Sequence, residues 1–239
     1  MVAPDLISAE LNNVTGMLAS VAALGTAAYG LVDITKLFWG GVSNAGYGYI
    51  LSALKPFAPA LIAAGGKSWP QTLRAHWING MAKDDQKATA KALIHLGLST
   101  DNAAELAKEG RVAPDALKDA VAKLDQGTAL LPADINVLGR FDSMIDAALD
   151  GGFERADQVY RNAAKALAGV FAIMLAIGGE AVIAASGNGG AVPANFIGSG
   201  GFWLAVIIGI VSVPLAPIAK DISTSLTTAV NAMKGVGGG

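Results

Sequence analysis

The distribution of charge constrains this chain more than any motif does. Residues 66–165 hold 13 of the 17 lysines and arginines and 14 of the 19 aspartates and glutamates. Outside that block there are nine charged side chains, and the stretch 181–219 carries none. Residues 11–32, 37–54 and 166–179 are uncharged as well. A helix needs roughly 20 apolar residues to cross a bilayer. Four stretches approach that requirement: 11–32, 47–64, 166–185 and 202–219. The expected fold is therefore all-α, a polytopic integral membrane protein with about four transmembrane helices. A helical cytoplasmic insert would lie between the second and third. The alternative is a soluble protein with buried apolar hairpins.

Composition supports the first reading. The chain is 53% hydrophobic and 15% charged, with a mean hydropathy of +0.48, whereas a soluble domain carries about 25% charged residues. The absence of cysteine closes off disulfides, thiol nucleophiles and thiolate metal sites. A net charge of −2 argues against nucleic acid as a partner. The opening MVAPDLISAE is acidic where a signal peptide would be basic, so the first apolar stretch is expected to stay as a helix.

The spans are unequal. The second, YGYILSALKPFAPALIAA, contains Lys55, Pro56 and Pro59 and is the weakest, a kinked or re-entrant candidate. The fourth is the most hydrophobic, with Pro214 and Pro217 in its last turns. Cations flank the block on both sides: Lys67, Arg74 and Lys83 follow span two, and Arg155, Arg161 and Lys165 precede span three. The positive-inside bias then puts residues 66–165 and both termini in the cytoplasm of a cell-membrane protein. Trp39, Tyr47, Tyr49 and Trp203 would mark the outer interface, and Trp69 and Trp77 the inner one.

Within the block, helices are expected at 70–79, 84–97, 101–109 (ended by Gly110), 114–125 and 132–149, the last broken by Gly151–Gly152. Residues 153–186 read as one helix of about 51 Å at 1.5 Å per residue, a stalk entering the membrane. The organisation is thus 1–65, a first hairpin; 66–152, the insert; 153–220, a second hairpin with its helical extension; and 221–239, a tail ending in GVGGG that is expected to be disordered.

Candidate functional residues are few. Glu180 lies among apolar neighbours in span three, where a carboxylate is costly unless protonated, paired or hydrated. It could line a path or couple to a proton; equally, it could be hydrated near the outer interface or bonded to a neighbouring helix. Lys55 beside its prolines could bind an anion or pair with Glu180 or Asp33, or could simply snorkel beside a kink. Gly178 and Gly179 would allow close helix approach or a bend. Small residues at Gly16, Ser20, Ala23, Ala27 and Gly30 would form a contact face. His76 and His95 form no metal pattern, and no phosphate, dinucleotide or calcium motif is present. No catalytic set, cofactor or metal is expected, and the chain does not read as an enzyme.

Two functions follow. One is an oligomeric membrane channel or transporter for an ion or small solute, since four helices enclose a path poorly and a homo-oligomer would complete it. The other is a non-transporting scaffold or adaptor in the lipid bilayer whose cytoplasmic insert binds a protein partner.

Overall fold

The computed structural model describes residues 4–109 and 111–236, with side chains described for 13–109, 111–218, Ser225 and Thr228. Gly110, expected to end a helix, and residues 237–239 of the tail lie outside the described residues, as do the side chains of Lys220 and Lys234. The fold is all-α. In chain order the α-helices are α1 (Pro4–Thr35), α2 (Asn44–Leu54), α3 (Ala58–Gly65), α4 (Trp69–Ile78), α5 (Lys83–Gly97), α6 (Ala103–Glu109), α7 (Pro114–Asp125), α8 (Pro132–Ser186) and α9 (Gly200–Val236). Four stretches are long and apolar enough to cross a membrane: Asn13–Thr35, Gly41–Ile78, Pro132–Ser186 and Gly200–Ile218. Helices α5–α7 form the insert between the second and third. This is the architecture of a multi-pass membrane protein with a helical insert.

The chain folds as two compact units, Met1–Gly41 with Asn162–Gly239, and Val42–Arg161. In the first, glycines set the packing. A methyl group on Gly25 of α1 would come within 2.6 Å of the Ser212 carbonyl oxygen and the Ala216 Cβ of α9. A methyl on Gly209 would come within 2.5 Å of the Ile173 Cα of α8. Helix backbones meet at such positions because no side chain separates them. Large apolar side chains then point outward: Val182, Ile183, Trp203, Ile207 and Ile210 are all more than half exposed. Such a surface has lipid as its natural solvent.

The second unit has a conventional core. Ile50, Leu54, Phe57 and Leu61 from α2, α3 and the turn between them pack with Ile94, Leu106, Leu117, Phe141, Ile145 and Phe153. All are fully or almost fully buried. The residues Lys55–Phe57 form a short 3-10 turn between α2 and α3, so the kink expected at Lys55–Pro56–Pro59 is present. Prolines sit in the first turns of α3, α4 and α7, where the missing amide costs nothing. Helix α4 ends through Gly80, at φ 70°, with the Met81 amide donating to the His76 carbonyl at 3.1 Å. Asp134 caps the start of α8, accepting from the Leu131 amide at 2.7 Å and from Lys123 at 2.6 Å.

A ladder of ion pairs lines the surface between α5 and α8. Lys83 pairs with Glu154, Lys87 with Asp150 at 2.9 Å, Lys91 with Asp146 and Asp142 at 2.9 Å each, and His95 with Asp142 at 2.8 Å. Steps of four on both antiparallel helices keep every rung on one face. The hydrogen bonds that the Lys91 ammonium donates to Asp142 and Asp146 hold its pKa above the ordinary lysine value.

Three expectations change. Gly151–Gly152 do not break the helix: α8 runs unbroken through them. Gly152 is buried, and a methyl there would come within 2.5 Å of the Ala53 Cβ, so its smallness serves a helix contact. The aromatic belts also change. Trp77 Nε1 donates to the Ser43 carbonyl at 2.6 Å and the Tyr47 hydroxyl bonds to the Pro70 carbonyl, so residues expected at opposite interfaces touch. Lastly, α9 continues past Pro214 and Pro217 to Val236, carrying residues 221–236 of the expected tail, Gly235 and Val236 of its GVGGG end included, into the helix.

Candidate functional site

Glu180 lies in α8 six residues before the helix ends at Ser186, about 9 Å along the axis at 1.5 Å per residue. Its half-buried side chain reaches into a groove of about 620 Å³ among α1, α8 and α9. The groove is lined by Met17, Ser20, Leu24, Leu175 and Leu204, among others, and among the described residues Glu180 is its only ionisable side chain. The Glu180 carboxylate lies directly against Gly201, where any Cβ would collide with Oε1.

Gly201 belongs to the first turn of α9. Ser199 stands just before that turn, its Oγ accepting from the Phe202 amide at 3.1 Å as an N-cap does. The carboxylate is therefore held at the positive end of a helix, where the first amides lack intrahelical acceptors. The Ser20 hydroxyl, the other polar side chain on the groove wall, donates to the Gly16 carbonyl at 2.9 Å.

The other sequence-derived candidates are placed elsewhere. Asp33 pairs with Lys36 at 2.8 Å near the end of α1. It is nine residues, about 14 Å of helix, from Leu24, the nearest groove residue on that helix. Lys55 belongs to the second unit, exposed on the 3-10 turn, where it shares a surface depression with Ser52, Pro56, Pro59, Glu105 and Glu109. Its carboxylate neighbours are thus those of α6.

Gly178 and Gly179 sit inside α8 with open space where a Cβ would go, so neither makes a close helix contact; Gly179 does line the groove. Pro214 and Pro217 remove the amides that would have bonded to the Ile210 and Val213 carbonyls. Ser212, two residues before Pro214, is fully buried and donates to the Gly209 carbonyl at 2.9 Å.

Sequence reasoning missed Gly25, Gly209 and Gly201. Gly25 is offset from the small-residue face expected on α1, of which Gly16 and Gly30 meet nothing. For Gly201 a signal existed: a serine two residues earlier and an apolar run after it mark a helix start. Among the described residues no three acidic or histidine side chains converge on a metal position. His95 is taken up by Asp142, and the His76 Nδ1 is buried without a hydrogen-bond partner.

Comparison with protein-family models, with curated proteins and with solved structures returns no match.

Proposed function

We propose that this is a membrane channel or carrier subunit that takes a proton or small cation at Glu180 and works as a homo-oligomer. The observation that carries the reading is a carboxylate that, among the described residues, stands alone in an apolar groove between helices of the membrane-type unit. Among the described residues none that lines the groove pairs with it, and its carboxylate lies against the first turn of α9. A cation entering the groove would find one strong electrostatic partner there. The groove is open on one side, and other copies of the chain would close a path around it.

The experiment is flux in proteoliposomes carrying the full chain, under imposed proton, sodium and potassium gradients. Glu180→Gln is expected to lower flux at least tenfold, with Glu180→Asp retaining part of it. Undiminished flux in Glu180→Gln would sink the role given to the carboxylate. Absence of flux for all three cations would favour the second reading, a membrane scaffold. That reading rests on Leu96, Leu131 and Ile135, apolar side chains that the insert leaves exposed.

A further inference from the structure

Four stretches satisfy length and composition, but their packing separates one from the rest. We propose that residues 44–78 lie outside the membrane, as core elements of the insert. The chain then crosses the bilayer three times, with residues 4–12 on the face opposite the insert.

The first argument is geometric. A segment that crosses a bilayer holds its two ends about 30 Å apart. Here the ends meet. Trp77 Nε1 donates to the Ser43 carbonyl, Arg74 donates to the Asn44 Oδ1 at 2.6 Å, and the Tyr47 hydroxyl bonds to the Pro70 carbonyl. Nor does either helix within the stretch reach across. Helix α2 has 11 residues and α3 has 8, about 17 Å and about 12 Å at 1.5 Å per residue, with a 3-10 turn between them.

The second argument is what covers the apolar surface. Ile50, Leu54, Phe57, Ala60 and Leu61 are at most 1% exposed, covered by side chains of the charged helices. Large apolar side chains on the outside of α2 and α3 reduce to Tyr49 and Ile62, beside Asn44, Ser52 and Lys55. The hydrophobicity of this stretch is already spent inside protein, whereas that of α9 faces outward. Helix α3 packs so closely on α5 that a methyl at Gly97 would collide with the Ala60 carbonyl. Placing α3 in hydrocarbon would carry α5 with it, and α5 bears Lys83, Asp84, Asp85, Lys87, Lys91 and His95. Each such charge is expensive at membrane depth.

The third argument is charge sidedness. With crossings at 13–35, 166–186 and 200–218, all 17 lysines and arginines fall on one face. The other face holds Asp5, Glu10 and the uncharged loop 187–199. Four crossings would instead put Lys36 on the face away from the other cations. The positive-inside bias therefore favours three crossings, with the insert in the cytoplasm.

Because the chain has no cysteine, single cysteines can be added to the full-length protein without removing any. Ser8→Cys, Leu37→Cys, Gln126→Cys and Asn188→Cys would be probed in intact spheroplasts with a membrane-impermeant maleimide. Phe38→Cys gives a second reading of the 36–43 loop, since Leu37 and Phe38 are both well exposed. The expected result is labelling of Ser8→Cys and Asn188→Cys from outside. Leu37→Cys, Phe38→Cys and Gln126→Cys should label only after permeabilisation. Outside labelling of Leu37→Cys and Phe38→Cys, with Ser8→Cys protected, would overturn the proposal and restore four crossings.

Discussion

Replacing Phe57 by alanine tests whether the most doubtful apolar stretch of the chain belongs to the insert. The Phe57 side chain is fully buried, and its ring meets that of Phe141 edge-on at 6.3 Å and 72°. A buried Phe→Ala change costs about 3–5 kcal/mol, because transfer energy is lost and the cavity collapses only in part. At about 1.4 kcal/mol per factor of ten, even 3 kcal/mol multiplies the opening equilibrium about 150-fold. The consequence should appear far from position 57 in sequence, in helices that share its core. Hydrogen exchange of the detergent-solubilised protein, read on peptides covering 83–97 and 103–109, should accelerate by about two orders of magnitude wherever exchange follows opening of this unit. Ile207→Ala is the matched control. That side chain is exposed on α9, and its loss should leave both peptides unchanged. Were Phe57 to face lipid, its removal would disturb membrane packing and spare α5. Unchanged exchange over 83–97 in Phe57→Ala would therefore refute the shared core.

Gly25→Val places a side chain where the Ser212 carbonyl and Ala216 already stand; overpacking of this kind costs about 1–3 kcal/mol. It should lower the thermal aggregation temperature in detergent, whereas Gly30→Ala, with open space around it, should not. Lys91→Met leaves Asp142 and Asp146, one helical turn apart, without their shared cation, for a loss of about 0.5–1 kcal/mol seen as an earlier urea midpoint. Hydrogen bonding raises the folded-state pKa of Lys91 above the ordinary 10.5. Its contribution is therefore complete below that value and fades as pH rises through the higher folded pKa. The difference in midpoint between wild type and Lys91→Met should accordingly persist below pH 10.5 and shrink as pH rises above it, and a difference that grew would contradict the ladder.

Much of this fold is legible in the sequence because helix starts and apolar faces are local properties. Pro70, Pro114 and Pro132 each announce the first turn they occupy, and of the apolar positions Ala116, Leu117, Ala120, Val121 and Leu124, which the sequence spaces as one helical stripe, Leu117, Ala120 and Val121 are buried in α7 while Leu124 is exposed. Partner choice is less legible, because hydropathy counts apolar residues without saying what covers them. Residues 47–64 and 202–219 both fall within stretches that pass as candidate spans on that scale, yet Leu54 and Phe57 are covered by the insert while Trp203 and Ile207 are left facing outward. Glycine is ambiguous for the same reason. Gly152 reads as a breaker until Ala53 is found against it, and Gly178–Gly179, which read as a close approach or a bend, have open space where a Cβ would stand. Glu180 is the sharpest instance: its environment is set by Gly201 and the helix that begins there, 21 residues further along the chain.

The ion-pair ladder shows which sequence signal carries the missing information. Lys83, Lys87, Lys91 and His95 rise in steps of four, and Asp142, Asp146, Asp150 and Glu154 do the same. Each row alone reads as a solvated helix face. Taken together, their opposite signs and equal spacing fix a register once the helices run antiparallel, as they do, since a shift by one turn would pair Lys83 with Asp150 and leave Glu154 unpaired. That register places α5 beside the first part of α8. The apolar face of α5, Ala90 and Ile94, must then be covered by something else, and α3 with its Ala60 and Leu61 is what covers it. Complementary charge rows thus decide where the apolar stretch at 47–64 goes, and a hydropathy scan, blind to pairing, assigns it to the bilayer.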